Sequence, residues 1–477
     1  MMTITATSLR GVLRTGSPWL GALALVATVA ACSSLLDVKN PNNVNEVDLN
    51  NPASAGSQAN GVLSSLARAW GNILTPYAVA TDELTWIGSR DAWQNLDQGT
   101  LTEPTNEFVD AAFFYVGEAR WSADATIKRL NGFLAAITLA DTNALARSYL
   151  YGALIYSTIG DFFDNFPIAS DKATAGPPLG PANMAQVYDT AIVYATRGIT
   201  FAQAIKDKQL ELTLTAARAR ARHAKAVWAL FPHPATPSGP PANPLVNDPA
   251  AVADANAALA LAAASNPDWR FRFAYSQPTV TTDIGFEVNE RLEMRIGPVY
   301  AGPPCTVSGC PTGGHVPVTA DSITKKNSIR LNDPIDAKAD SYLSDVLVDF
   351  LSNTRYGSLT MLSAREMHLI VAEAALAAGD TPGFTTAINN LRALSTGLTP
   401  YDPTNLAHPT PINMLIYERQ ANLYLQGRRL PDEYRFGVPA DVWVPGKEAT
   451  TTPVFLPITI SERQANQYCV SDPTSCN

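Results

Sequence analysis

Residues 363–394 read SAREMHLIVAEAALAAGDTPGFTTAINNLRAL, two amphipathic stretches back to back. Ser363-Ala364-Arg365-Glu366 has the form of a capping box, in which the serine takes a backbone N–H and the glutamate reaches back to the cap. Met367, Ile370, Val371, Ala374 and Ala375 then recur at helical spacing and give one apolar face. Gly379 stops the helix, because glycine takes the left-handed conformation at little cost. Thr381-Pro382 starts the next helix as N-cap and first helical residue. Phe384, Ala387, Ile388, Leu391 and Leu394 supply its stripe. A tight turn between two short helices predicts an antiparallel hairpin, 363–378 with 382–394.

The same grammar recurs outward from it. Met184, Val187, Tyr188, Ala191, Ile192, Ala195, Ile199 and Ala202 keep helical spacing through 183–205, which pairs with 144–159. A third pair is 215–230 with 248–264, opened by Asp248-Pro249 as cap and first residue. A looser fourth is 55–75 with 117–138. Alanines on facing sides let such helices approach closely. The expected class is mainly α, with tetratricopeptide-like hairpins stacked into an α-α superhelix; a generic helical bundle is the alternative. The stretches 76–116, 160–182, 265–362 and 395–410 read as non-helical. Loops that long in a compact domain usually carry function, and 265–362 is the longest loop-rich region. Residues 55–477, ending in a C-terminal segment 395–477, read as one domain.

The N-terminus reads as an export signal. Residues 1–31 hold no Asp or Glu, and Arg10 and Arg14 precede a small, apolar run from Trp19 to Ala31. Val29-Ala30-Ala31-Cys32 fits a bacterial lipobox, so cleavage would leave Cys32 as a lipidated first residue. Residues 32–54, rich in Asn, Asp, Pro and Ser, read as a tether. Removing the signal with its two arginines leaves 446 residues of net charge −11, down from −9. That balance, without a basic block, argues against nucleic acid. The odd count of five cysteines fits one lipid-bearing Cys32 and two local pairs, Cys305/Cys310 and Cys469/Cys476. Neither pair has zinc-ligand spacing with a nearby histidine. No metal or cofactor is expected.

No catalytic pattern emerges. The five histidines, His223, His233, His315, His368 and His408, form no HExxH, and no nucleophile elbow or phosphate-binding glycine loop occurs. Glu287, Glu290 and Glu293 suggest a glycosidase carboxylate pair, but Arg291 and Arg295 are interleaved and favour a paired, charged surface. Asp333, Asp336 and Asp340 lack the spacing of a calcium loop and read as a solvated acidic loop.

The loops are more informative. Trp86-Ile87-Gly88-Ser89-Arg90-Asp91-Ala92-Trp93-Gln94-Asn95 sets two tryptophans among Arg, Asp, Gln and Asn. A sugar ring has an apolar face and a hydroxyl rim, and is held by a flat aromatic with planar polar groups around it. Trp86, Trp93, Arg90, Asp91 and Asn95 are therefore candidate ligand contacts, with Tyr275 and Tyr300 from the longest loop. The competing use of such aromatics is to pin irregular loops to helices.

Taken in order, these segments resemble the SusD/RagB family of surface lipoproteins. The stretch after Cys32 is similar to the family's start, and Gly160-Asp161-Phe162-Phe163-Asp164-Asn165-Phe166-Pro167 to its Gly-Asp-hydrophobic-Pro turn, with extra residues. Arg365, Glu366, Ala372, Glu373, Ala374, Gly379, Ile388, Asn389 and Arg392 match its arginine-led helix and Asn-x-x-Arg. Glu418-Arg419 and Gly427-Arg428-Arg429-Leu430-Pro431-Asp432-Glu433-Tyr434-Arg435 match its Glu-Arg and Gly-x-Arg-aromatic-x-Asp-Leu-x-Arg, with Leu430, Glu433 and Gln426 as departures. Phe455-Leu456-Pro457-Ile458, Glu462 and Asn466 resemble its closing segment. The Glu418, Arg419, Arg429, Asp432 and Arg435 skeleton reads as an internal salt-bridge network. The resemblance implies a non-enzymatic binder of a glycan, or a peptide in some branches. It implies lipid anchoring on the cell-surface side of the outer membrane, and delivery to a TonB-dependent barrel of the SusC type. A surface glycoside hydrolase and a scaffold for protein contacts are the alternatives.

Overall fold

A computed structural model describes residues 46–169, 174–301 and 329–477. Cys32, Cys305 and Cys310 lie outside the described residues. The chain divides into a unit of residues 1–51, in which Glu46–Leu49 is helical, and a compact unit of Pro52–Asn477.

The larger unit is built of helices: α1 (Ala55–Val79), α2 (Asp91–Asp97), α3 (Glu107–Ala135), α4 (Asn143–Phe162), α5 (Ala185–Ala204), α6 (Lys208–Trp228), α7 (Pro249–Ala263), α8 (Asp283–Asn289), α9 (Ser341–Ser352), α10 (Ala364–Ala377), α11 (Thr381–Arg392), α12 (Pro411–Asn422) and α13 (Arg429–Phe436), closed by the short α14 (Ile460–Ala465) and α15 (Gln467–Ser471). Four hairpins form, α1 on α3, α4 on α5, α6 on α7 and α10 on α11, and each packs against the next. Alanine makes the stacking close. Ala216, Ala217, Ala219, Ala221 and Ala224 of α6 are buried, as are Ala251, Ala255, Ala258 and Ala262 of α7. At Gly160 an added Cβ would lie 2.6 Å from the Tyr188 ring, so only glycine lets α4 and α5 approach there. Among the described residues no helix is long and apolar enough to cross a membrane.

Several expectations are corrected. In hairpin α10–α11, Ser363 does cap, accepting from the Glu366 N–H at 3.1 Å. The Glu366 carboxylate, however, turns away to Arg220, at 2.6 Å from Nη2, rather than back to the cap. The cap of α11 is Asp380, whose carboxylate accepts from Gly383 N–H, and not Thr381. Helix α3 begins at Glu107, inside the stretch read as non-helical, because Asn106 caps it by accepting from Phe108 and Val109 N–H. Helix α6 begins at Lys208, ahead of the expected start at 215, capped by Asp207. The 265–362 region holds α8 and α9 and is less loop-rich than expected.

Among the described residues, two small antiparallel sheets tie the loops down. β1 (Leu84–Trp86) pairs with β3 (Met294–Ile296), Trp86 opposite Met294. β2 (Arg270–Phe273) pairs with β4 (Leu359–Ser363), with a register shift between Phe271 and Arg272. The largest apolar core runs through α1 and α3 to α7 and takes in Tyr434, Phe455 and Leu456 from the C-terminal segment. A second core joins α10, α11 and α12 through Leu369, Phe384, Ile388 and Met414. Cys469 and Cys476 are disulfide-bonded, closing the terminal turn.

Candidate binding site

The buried charges of the C-terminal third are the first place to seek chemistry, and they are structural. Arg435, fully buried, pairs with Glu373 and with Asp432 at 2.9 Å. Arg419 reaches Asp432 at 2.7 Å and Glu373 at 3.4 Å. Arg392 joins Asp333 at 2.6 Å and Glu418 at 2.9 Å. Arg429 holds Asp82 at 2.5 Å, and Arg428 pairs with Asp161. Burial alone would raise the Glu373 carboxyl, but Arg435, His223 and Arg419 together hold it well below the usual carboxylate range. These pairs sit between the packed helices, sealed from solvent. Asp333 and Asp340 are buried in the same work, Asp340 as the cap of α9, so the solvated acidic loop expected there is not what forms.

The Trp86–Asn95 segment divides into two parts. Trp93 is fully buried and stacks on Phe108, centroids 3.6 Å apart. It is a core residue, contrary to expectation, because Trp93, Leu96 and Asp97 share the inner face of α2. Tyr275 and Tyr300 are also corrected to core. Tyr275 donates its hydroxyl to the Ala67 carbonyl at 2.9 Å, and Tyr300, at zero exposure, packs on Tyr424. Asn95 is half-buried and donates to Glu103 at 3.2 Å. Asp91 is exposed at the start of α2, and Trp86 and Arg90 are half-buried. The Arg90 guanidinium lies over the Phe108 ring at 5.2 Å, on the same ring that carries Trp93.

The loop joining β1 to α2 is fixed by one carboxylate. Glu293 accepts from Ser89 N–H at 2.8 Å, from the Ser89 hydroxyl at 3.2 Å and from Arg90 N–H at 3.3 Å. Its carbonyl accepts from Ile87 and Gly88 N–H. Gly88 is needed for this approach, since a Cβ there would fall 1.9 Å from the Glu293 carboxylate. Burial pushes the Glu293 carboxyl up, but those donors and Arg291 outweigh it and hold it low. Glu287 is buried beside it, pushed up to about 7 by burial and by Asp283. Arg291 Nε stands 4.0 Å from Glu287 and 3.7 Å from Glu293. The three glutamates therefore do not present a carboxylate pair across an open cleft. Glu293 staples a loop, Glu287 is covered, and Glu290 pairs with Arg355 at 2.5 Å on the surface.

Arg90 lies within electrostatic reach of a second group, Asp283, Phe286 and Arg355, in which the Arg355 guanidinium stands 4.2 Å from the Phe286 ring centre. These residues, taken with Trp86, are the shelf. Burial pushes the Asp283 carboxyl up to about 6, while Thr75, Arg90, Arg291 and Arg355 act on it in the opposite sense. The shelf thus offers a half-buried indole and a half-buried phenyl ring together with guanidinium and carboxylate groups. Asp283, Phe286 and Arg355 were not among the sequence candidates. No spacing in the sequence singles them out, because only tertiary folding brings α8 and Arg355 near Arg90. Such a surface suits a neutral hydroxylated ring: aromatic faces meet C–H groups, and the fixed ions take hydroxyls from the side.

No protein-family model and no curated protein sequence matches the chain. Solved structures do. A SusD superfamily protein from Bacteroides fragilis superposes with a TM-score of 0.58 at 13% identity, covering 88% of this chain and 98% of that one. Another from Bacteroides vulgatus gives 0.55 at 14% identity, over 89% and 97%. A laminarin binding SusD-like protein gives 0.51 at 15% identity, over 87% and 98%. The chain has the SusD fold.

Proposed function

We propose that this SusD-fold chain is a non-enzymatic lipoprotein that captures a glycan and passes it to a TonB-dependent outer-membrane barrel of the SusC type. The observation that carries the reading is the shelf at Trp86, a half-buried aromatic beside preset ions, on a fold that over 87% of this chain is similar to that of a laminarin binding SusD-like protein. Trp86, Arg90 and Asp91 are the contacts kept from the sequence reading, with Asp283, Phe286 and Arg355 added. Cys32 carries the lipid, residues 32–54 are the tether, and the body faces the cell exterior. The non-enzymatic part rests on the state of the glutamates: a nucleophile needs a free carboxylate, and that of Glu293 is committed to three donors.

The test is to incubate the purified chain with laminarin-, starch- and xylan-derived oligosaccharides, and to follow binding by calorimetry and products by chromatography. Saturable binding with intact ligand recovered is expected. Product release that Glu287→Gln abolishes would establish the hydrolase instead. Co-purification with a barrel but no binding to any oligosaccharide or peptide would establish the scaffold.

A further inference from the structure

Leu292, beside the shelf, combines two features that cost stability. It is 53% exposed, and its backbone is left-handed, with φ 59°. A residue with a Cβ enters that region less readily than glycine, and asparagine is the side chain that tolerates it best. An exposed leucine gains little from burial to offset this. The turn that imposes the conformation is made by backbone groups. After α8, Glu290 N–H and Arg291 N–H both donate to the Phe286 carbonyl, at 3.0 and 2.9 Å, and Glu293 N–H donates to the Glu287 carbonyl at 3.1 Å. None of these bonds uses the leucine side chain, so glycine or asparagine would make the same turn with less strain.

Strain on an exposed apolar residue does not suffice, since Ile137 at the end of α3 shows both, with φ 56° and 92% exposure. Place sets Leu292 apart. It directly precedes Glu293, whose carbonyl accepts from Ile87 and Gly88 N–H and whose carboxylate accepts from Ser89 and Arg90 N–H. The β1–β3 register sets Trp86 opposite Met294, two residues beyond Leu292. On its other side Leu292 directly follows Arg291, whose Nε stands 3.7 Å from the Glu293 carboxylate. The Arg291, Arg90 and Arg355 charges all act on Asp283. Leu292 is thus an exposed apolar side chain on the turn that joins α8 to the strand beside Trp86, between two residues already engaged with the shelf.

We propose that Leu292 is a ligand-contacting residue of the shelf, with its side chain against the C–H face of a sugar ring whose hydroxyls meet the ions around it. This rests on the glycan reading above and adds a residue whose use is to select how the ring lies. Leucine offers no hydrogen bond. A hydroxyl turned onto it would lose water without gaining a partner, whereas a C–H face has none to lose. The left-handed backbone then belongs to the site: it holds an apolar group out in solvent where a relaxed turn would carry glycine or asparagine.

The experiment titrates the full chain, Leu292→Asn, Leu292→Met and Trp86→Ala with laminarihexaose, maltohexaose and xylohexaose by calorimetry, and melts each protein. Asparagine suits the left-handed turn and removes the apolar contact; methionine keeps the contact. The expected result is that Leu292→Asn melts no lower than the parent, yet binds the best hexaose at least about fivefold more weakly. Leu292→Met should stay within about twofold of the parent. Unchanged affinity in Leu292→Asn overturns the proposal, and a loss in Trp86→Ala alone then keeps the glycan reading. A loss in Leu292→Met as large as that in Leu292→Asn also overturns it, because the shape of the turn and not the apolar surface would then be what the ligand reads. A parent that binds none of the hexaoses overturns both readings.

Discussion

Single residues in this chain are settled by whether water can reach them. Arg435 is the clearest case, with no exposure and with Glu373 and Asp432 as its anions. Two ions taken from water together are tolerated, whereas one left alone is not. Arg435→Met should therefore destabilise the protein by about 3–5 kcal/mol, measured by urea unfolding. Glu83 is the opposite case. Burial pushes its carboxyl up to about 8, although Leu425 N–H donates to it. The unfolded chain ionises this group near the ordinary pKa of about 4.3, so the folded state holds the extra proton in between. Stability is then lost as pH rises from about 4.3 toward 8, and no penalty exists below that window. Glu83→Gln cannot ionise. Its melting temperature relative to the parent should improve steadily from pH 5 to pH 8.5; a difference independent of pH would contradict the assignment.

At the scale of elements, the β1–α2 loop is a part whose shape depends on one glycine. Gly88→Ala places a methyl inside the Glu293 carboxylate and 2.8 Å from its Cα, which is backbone and cannot yield. The loop must lift, and Ser89 and Arg90 lose their acceptor. A drop in stability of about 1–3 kcal/mol is expected, with loss of oligosaccharide binding by calorimetry; unchanged binding would show that the shelf does not depend on the loop. This loop also marks how far the sequence could be read. The hairpin 363–394 was legible because spacing, glycine stop and proline start all agreed. Helix α3 was entered late because Asn106, its cap, stands in a polar run that resembles a loop. Trp93 was misread because composition spoke louder than period: its neighbours are polar, yet Trp93 and Leu96 share one face of α2. The shelf's second group, Asp283, Phe286 and Arg355, was out of reach, since only tertiary folding brings α8 and Arg355 near Arg90.

At the scale of the whole molecule, stacked hairpins fix a body on which separate loops can be displayed at set distances. The buried ion pairs lock the C-terminal segment across those hairpins, with Arg428 and Arg429 tying α13 to Asp161 of α4 and to Asp82. A rigid body with an aromatic shelf suits capture, and a lipid on Cys32 followed by a tether would give it reach. Lipidation is checked by radiolabelled palmitate, with label expected on the parent chain and absent from Cys32→Ser. The central claim, that the Trp86 shelf holds a glycan, is tested most directly by titrating the parent, Trp86→Ala and Trp93→Phe with the best-binding oligosaccharide. The account predicts that Trp86→Ala, although it also costs stability because the indole packs on the core, weakens binding by the folded protein at least tenfold, about 1.4 kcal/mol. It predicts that Trp93→Phe lowers stability but leaves the affinity of the folded protein within about twofold of the parent. Equal affinity for the parent and Trp86→Ala would contradict it.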